Sequence, residues 1–259
     1  MHVEYKANVL FNLFVAGLLG VAEQKPIALL KGRSGAYQRL GRMPGLQDLS
    51  MAENLLRVLT PCLKGHCSKT AISGLQECME CMGGVGYLEN DDMQYNIARL
   101  YRDANVMPIW EGTTDMMADD AVLRVIFGKT GKNVMGSFET WTHSMLERFQ
   151  HNKRCETQVG SVKQWWHELK TLVAEASKEE AEMKCRAVMD RLVDVVQGLL
   201  LLLDAASDND EVAWLAADSW FLEKLPGARL AQQNWEGQAA ADVRLVFGTD
   251  DPSAIKARL

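Results

Sequence analysis

The chain has 259 residues and a mass of 28.9 kDa, enough for one large domain or two modest ones with a well-buried core. Hydrophobic residues make up 47% and charged residues 24%, which excludes wholesale disorder and collagen-like repeats. Residues 1–130 hold 13 basic and 14 acidic side chains and residues 131–259 hold 15 and 20, so neither part has the basic excess that phosphate-dominated nucleic-acid binding requires.

His2 to Leu19 is apolar on nearly every side, the pattern of a helix deep in a bundle. Its longest apolar run, Val9 to Ala22, contains Asn12 and falls short of the ~20 residues that span a bilayer, so no membrane segment is expected. Gln24 to Gln47 mixes Pro26, Gly32, Gly35, Gly41, Pro44 and Gly45 with Lys31, Arg33, Arg39 and Arg42, and reads as a basic surface connection. Ser50 and Glu53 have capping-box spacing and predict a long helix to about Met82, stopped by Gly83-Gly84-Val85-Gly86. A short helix is expected over Asp91–Tyr101, an extended turn at Pro108, and a helix from Thr113 or Thr114 to about Phe127.

Gly128 to Gly136 reads as a linker. Beyond it, Val162, Trp165, Trp166, Leu169, Leu172 and Val173 keep helical spacing, as do Met183, Ala187, Leu192, Val195 and Val196. Trp214, Phe221 and Leu222 mark another helix, ended by Leu225-Pro226-Gly227, and a last one spans about Trp235–Phe247. No strand alternation competes, so the predicted class is all-α. The predicted division is a helical domain over 1–130 and a helical extension with a tail over 131–259. The Trp165–Trp166 pair is expected in a core or interface.

Six cysteines in this length do not make a disulfide scaffold, and reduced thiols are expected. Cys62, Cys67, Cys78 and Cys81, with His66 nearby, have some of the spacing of a zinc set. They fall on one predicted helix, where the pairs point in different directions, and cysteine is a common small buried hydrophobe. No metal site is expected.

The segment Gln76–Met117 is chemically loaded. Three glycines in four residues, Gly83, Gly84 and Gly86, let backbone approach another group closely. Glu111 sits between bulky Trp110 and flexible Gly112, just before a helix start. A carboxylate desolvated by the indole would have a raised pKa and suit general-base work near neutral pH. Each feature also has a plain structural reading, as a helix stop and as an acid complementing a helix dipole.

Taken together, Glu80–Tyr87 (E-C-M-G-G-V-G-Y), Tyr101–Asp103 (Y-R-D) and Ile109–Thr114 (I-W-E-G-T-T) resemble the C-terminal helical domain of the acyl-CoA dehydrogenase family, in particular its AidB-like (adaptive-response) branch. The similarity runs through Met51–Ser73 and on to about Ile126, and His2–Glu23 looks like an earlier helix of the same domain. The resemblance implies an acyl-CoA dehydrogenase C-terminal-type bundle and an FAD-dependent enzyme acting on CH–CH donors. Glu111 would take the proton alpha to the thioester of an acyl-CoA substrate. Gly83, Gly84, Gly86 and Thr113 would bind FAD, typically across a subunit interface, with Trp110 and Gly112 at the substrate. Many relatives carry glutamine at the position of Glu80 and an amide at that of Asp115, and carboxylates near a pyrophosphate are unfavourable unless turned away.

Family members place an N-terminal helical domain and a central β-domain before this one, so the resemblance implies a truncated member. It would work as a homo-oligomer or paired with a full-length relative. The alternative is a non-catalytic helical oligomerisation module of the same descent. In the AidB-like branch extra helices can carry a basic DNA-facing surface; the acidic balance of 131–259 speaks against nucleic acid here. Ala257-Arg258-Leu259 is a variant of the S-K-L peroxisomal address, and a peroxisomal location is expected ahead of a mitochondrial or cytoplasmic one.

Overall fold

A computed structural model describes residues 1–24, 48–89, 96–208, 210–225, 235–249 and 251. From residue 25 on, the basic connection ending at Gln47 lies outside the described residues, as does the Ala257–Leu259 tripeptide. Among the described residues the structure is helical with no strand: α1 His2–Gln24, α2 Leu49–Cys81, α3 Gly84–Tyr87, α4 Ile97–Ala104, α5 Thr114–Asp119, α6 Gly131–Glu147, α7 Glu156–Glu175, α8 Lys178–Met183, α9 Cys185–Asp208, α10 Glu211–Lys224 and α11 Trp235–Phe247. The all-α expectation holds.

Helix α9 is the centre. Val195, Val196, Leu199, Leu200, Leu201 and Leu202 are all buried, so α9 is apolar on nearly every side and touches α1, α2, α5, α6, α7 and α10. α1 buries Val3, Ala7, Phe11, Phe14, Val15 and Leu18 against this assembly. By length and composition α1 could cross a membrane; here one face of it is a core face, and Tyr5 and Leu13 stand exposed on the other. A ring cluster ties the extension to the first half. Phe14 stacks on Trp141 with centroids 5.2 Å apart, Phe138 meets Trp166 at 5.3 Å, and Trp165 stacks on Phe221 at 5.6 Å. Trp165 and Trp166 are both core residues. A single hydrophobic cluster includes residues from 1–130 and from 131–259.

Several boundaries differ from expectation. The cap of α2 is Asp48, whose side chain accepts from the amides of Ser50 and Met51 at 2.8 and 3.3 Å; Ser50 already lies inside the helix. α6 begins at Gly131, within the stretch read as a linker. Met183 is exposed at the end of α8, where Lys184 interrupts the path into α9, so its place in the apolar spacing was coincidental. Beyond Asp119, α5 widens into a π-helix over Asp120–Ile126, closed by an i→i+5 bond from Phe127 N to Val122 O at 2.8 Å.

Candidate functional site

Helix α2 organises the site. Its core side carries Ala52, Leu55, Val58, Leu59 and Cys62, and its other side carries Glu53, Arg57, Thr60 and Lys64 at helical spacing. That polar stripe is one wall of a groove of about 520 Å3, which Glu111, Met117 and Asp120 complete. Arg57 makes a two-pronged bond to Asp120, at 2.6 and 2.9 Å. The hydrogen bond from Arg57 outweighs partial burial and holds the Asp120 carboxyl below the usual carboxylate range.

Glu111 enters the groove on a strained backbone. Its φ is 56°, and it is the only non-glycine residue with positive φ among the described residues. A left-handed conformation costs an ordinary residue roughly 1–2 kcal/mol, so the surrounding structure must hold it. Two neighbours do. Lys64 Nζ donates to the carbonyl of Gly112, and Thr113 caps α5 by accepting from Met116 N at 3.4 Å. Gly112 has φ 113°, a backbone that residues with a side chain rarely adopt, so glycine is favoured there; a Cβ would lie 2.6 Å from Met117 Cε, the movable end of a flexible side chain. The cap uses the Thr113 hydroxyl as acceptor, and its O–H remains a donor.

The expected shielding of Glu111 by Trp110 is not found. Glu111 is exposed, Trp110 is 53% exposed and Ile109 64% exposed. The helical turns over 105–111 turn these apolar side chains outward. Any dehydration of the carboxylate must come from something that covers this face.

The double-glycine turn lies at the far end of α2. Gly83, with φ 63° and ψ −148°, holds a conformation reserved for glycine, and it ends the helix as expected. Gly86 is buried, and a Cβ there would meet the Met79 carbonyl at 2.3 Å, so its glycine serves the chain's own packing. Gly84 is different: it is exposed, and a Cβ would meet nothing within 4 Å. Nothing among the described residues explains its missing side chain. Around it Val85, Tyr87 and Leu88 are exposed apolar residues.

The two sequence-predicted groups are therefore not brought together. Lys64, near the middle of α2, marks the level of Glu111, and Cys81 marks the glycine end; at about 1.5 Å per residue they stand about 25 Å apart along the helix. The suspect carboxylates both have partners within the chain. Glu80 accepts from Gln76 Nε2 at 3.4 Å along the same helix. Asp115 pairs with Arg186 of α9, whose hydrogen bond holds the Asp115 carboxyl below its ordinary value. Sequence reasoning missed Arg57, Lys64 and Asp120. Their signal was the polar stripe Glu53–Arg57–Thr60–Lys64 opposite an apolar one. Among the described residues no group of three or more His, Cys, Asp or Glu side chains is placed to hold a metal ion.

Residues 46–126 match the family model of the acyl-CoA dehydrogenase C-terminal domain. Acyl-CoA dehydrogenase family member 11 of Caenorhabditis elegans is 28% identical over 215 residues, covering 81% of this chain and 30% of its own length. The putative acyl-CoA dehydrogenase AidB of Escherichia coli is 33% identical over 102 residues, covering 39% of this chain and 18% of its own length. The crystal structure of C. elegans ACDH-11 in complex with C11-CoA superposes with a TM-score of 0.68 at 26% identity, over 95% of this chain and 38% of that one. The chain thus spans well under half the length of the relatives it matches.

Proposed function

We propose that this chain is the C-terminal helical part of a flavin-dependent acyl-CoA dehydrogenase that desaturates an acyl-CoA thioester, with Glu111 as the base. The observation that carries the reading is the Glu111 backbone. It is a strained non-glycine residue on a groove, clamped through the next carbonyl by Lys64, and strain of this kind persists only where the structure enforces it. Glu80 ahead of the double glycine supports a place in the AidB-like branch.

A carboxylate oxygen of Glu111 would accept the proton from the carbon alpha to the thioester. Trp110 and Ile109 offer apolar surface beside it that would exclude water once the face is covered. Bound FAD would supply a hydride acceptor for the beta carbon. The chain's residues fit that group. Gly84 leaves unfilled space on the surface, the Thr113 hydroxyl keeps a donor, and the nearby acids are paired with Gln76 and Arg186. Because about 25 Å of helix separates Gly84 from Glu111, the proposed site takes the glycine turn of one copy and the base of another.

A chimera carrying the upstream part of the C. elegans relative ahead of this chain tests the reading. It is expected to purify yellow and to bleach on anaerobic addition of an acyl-CoA, and Glu111→Gln is expected to stay yellow without bleaching. Full bleaching by Glu111→Gln removes the base. A chimera that folds but never retains flavin favours a helical module without chemistry.

A further inference from the structure

Two side chains of α2 grip the two ends of α5. Arg57 and Lys64 stand about two helical turns apart and so lie on one face of α2. Arg57 holds Asp120, the residue just past the end of α5, at 2.6 and 2.9 Å. Lys64 Nζ donates to the carbonyl of Gly112, just ahead of the Thr113 cap. Between these two grips the helices come close at Gly65: a Cβ there would stand 3.5 Å from Met117 Cβ on α5 and 3.1 Å from the Met189 sulfur on α9. The backbone of Lys64 is tied down as well, because its carbonyl accepts from the buried Ser68 hydroxyl at 2.6 Å.

The soft place in this arrangement is the loop that carries Glu111. Gly112 has no side chain to restrict its rotation, and the peptide that joins it to Thr113 is tied to α2 through the Lys64 bond. Without that bond, rotation at Gly112 turns the peptide and lets Glu111 relax from φ 56° to the ordinary negative range. Relaxation swings the Glu111 Cα–Cβ bond, and the carboxylate leaves its place in the groove. A strained residue keeps its conformation only where its neighbours enforce it.

We propose that Lys64 is the positioning residue of the base: its ammonium holds the Gly112 carbonyl and so fixes the direction in which the Glu111 carboxylate enters the groove. Lys64 acts through the loop and not on a reacting atom. It has this role in the reaction only where Glu111 is the base proposed above, whereas its grip on the loop is a property of the chain alone. A misplacement of about 1 Å in a reacting group can cost about a hundredfold in rate, so the grip is large enough to show in turnover.

Lys64→Met keeps an apolar stem and removes the donor, and Lys64→Arg keeps a donor. In the chimera at saturating acyl-CoA, Lys64→Met is expected to bleach flavin at least about tenfold more slowly, with flavin content and half-saturating acyl-CoA within about twofold of wild type. Lys64→Arg is expected to recover much of the rate. In the full 259-residue chain without flavin, hydrogen exchange is read at the Met116 and Met117 amides, bonded to Thr113 Oγ1 and O at 3.4 and 2.9 Å. Lys64→Met is expected to speed it severalfold. An unchanged bleaching rate, or one that falls only in step with lost flavin, overturns the positioning role. Unchanged exchange overturns the grip on the loop. Failure of the base assignment shows separately, as bleaching by Glu111→Gln.

Discussion

At Glu111, strain and proposed chemistry meet in one residue. Replacing it with glycine relieves a φ of 56° at the cost of a more flexible unfolded chain. Glu111→Gly is therefore expected to stabilise the protein by about 0.5–1 kcal/mol in urea unfolding, while Glu111→Gln shifts it by less than about 0.5 kcal/mol. A clear loss of stability in Glu111→Gly would mean that the side chain, not the backbone, holds the loop. Across the groove, the Arg57–Asp120 pair has a predictable pH signature. Its carboxyl is depressed in the folded state, so the stabilisation is fully present above the unfolded aspartate value of about 3.9 and fades as pH falls through the folded one. Arg57 is half exposed, so solvent screening limits the effect: Arg57→Met should cost about 0.5–1 kcal/mol at neutral pH. The gap to wild type should close on acidification below about pH 4. A gap that persists there would assign the loss to packing.

The helices themselves were largely legible from sequence, because apolar spacing survives wherever a helix lies against α9. The final helix at Trp235–Phe247 and the stop at Gly83 came directly from pattern and glycine. What failed was local. Ser50 and Glu53 have the right spacing for a capping box, but Asp48 stands earlier and captures two amides first. Asp48→Ala should cost about 1 kcal/mol and Ser50→Ala less than about 0.5 kcal/mol, read by thermal unfolding; equal costs would restore the serine cap. The environment of Glu111 was misread for a different reason. Adjacency to tryptophan in sequence says nothing of where the indole points, and the turns over 105–111 direct it outward. The groove partners Lys64 and Arg57 were readable as a stripe on α2, but only a fold that brings Gly112 and Asp120 to that stripe gives them roles.

For the molecule as a whole, α2 acts as a ruler. It holds Glu111 near its middle and the open Gly84 turn beyond its end, with exposed apolar side chains at both places. A single copy cannot join these two regions without breaking α2, whose core side is packed against α1, α6 and α9. The proposed site is thus shared, and sharing has a genetic signature. In the chimera with the upstream part of the C. elegans relative, Glu111→Gln removes the proposed base, and Gly84→Trp places a large side chain where a Cβ meets nothing within 4 Å among the described residues. Each variant alone should fail to bleach flavin with acyl-CoA. Co-expressed, mixed assemblies contain some sites built from the intact glycine turn of one variant and the intact Glu111 of the other. The decisive measurement is anaerobic flavin bleaching by the co-expressed pair: the account predicts that it returns in part, and a pair as inactive as either variant alone would contradict it.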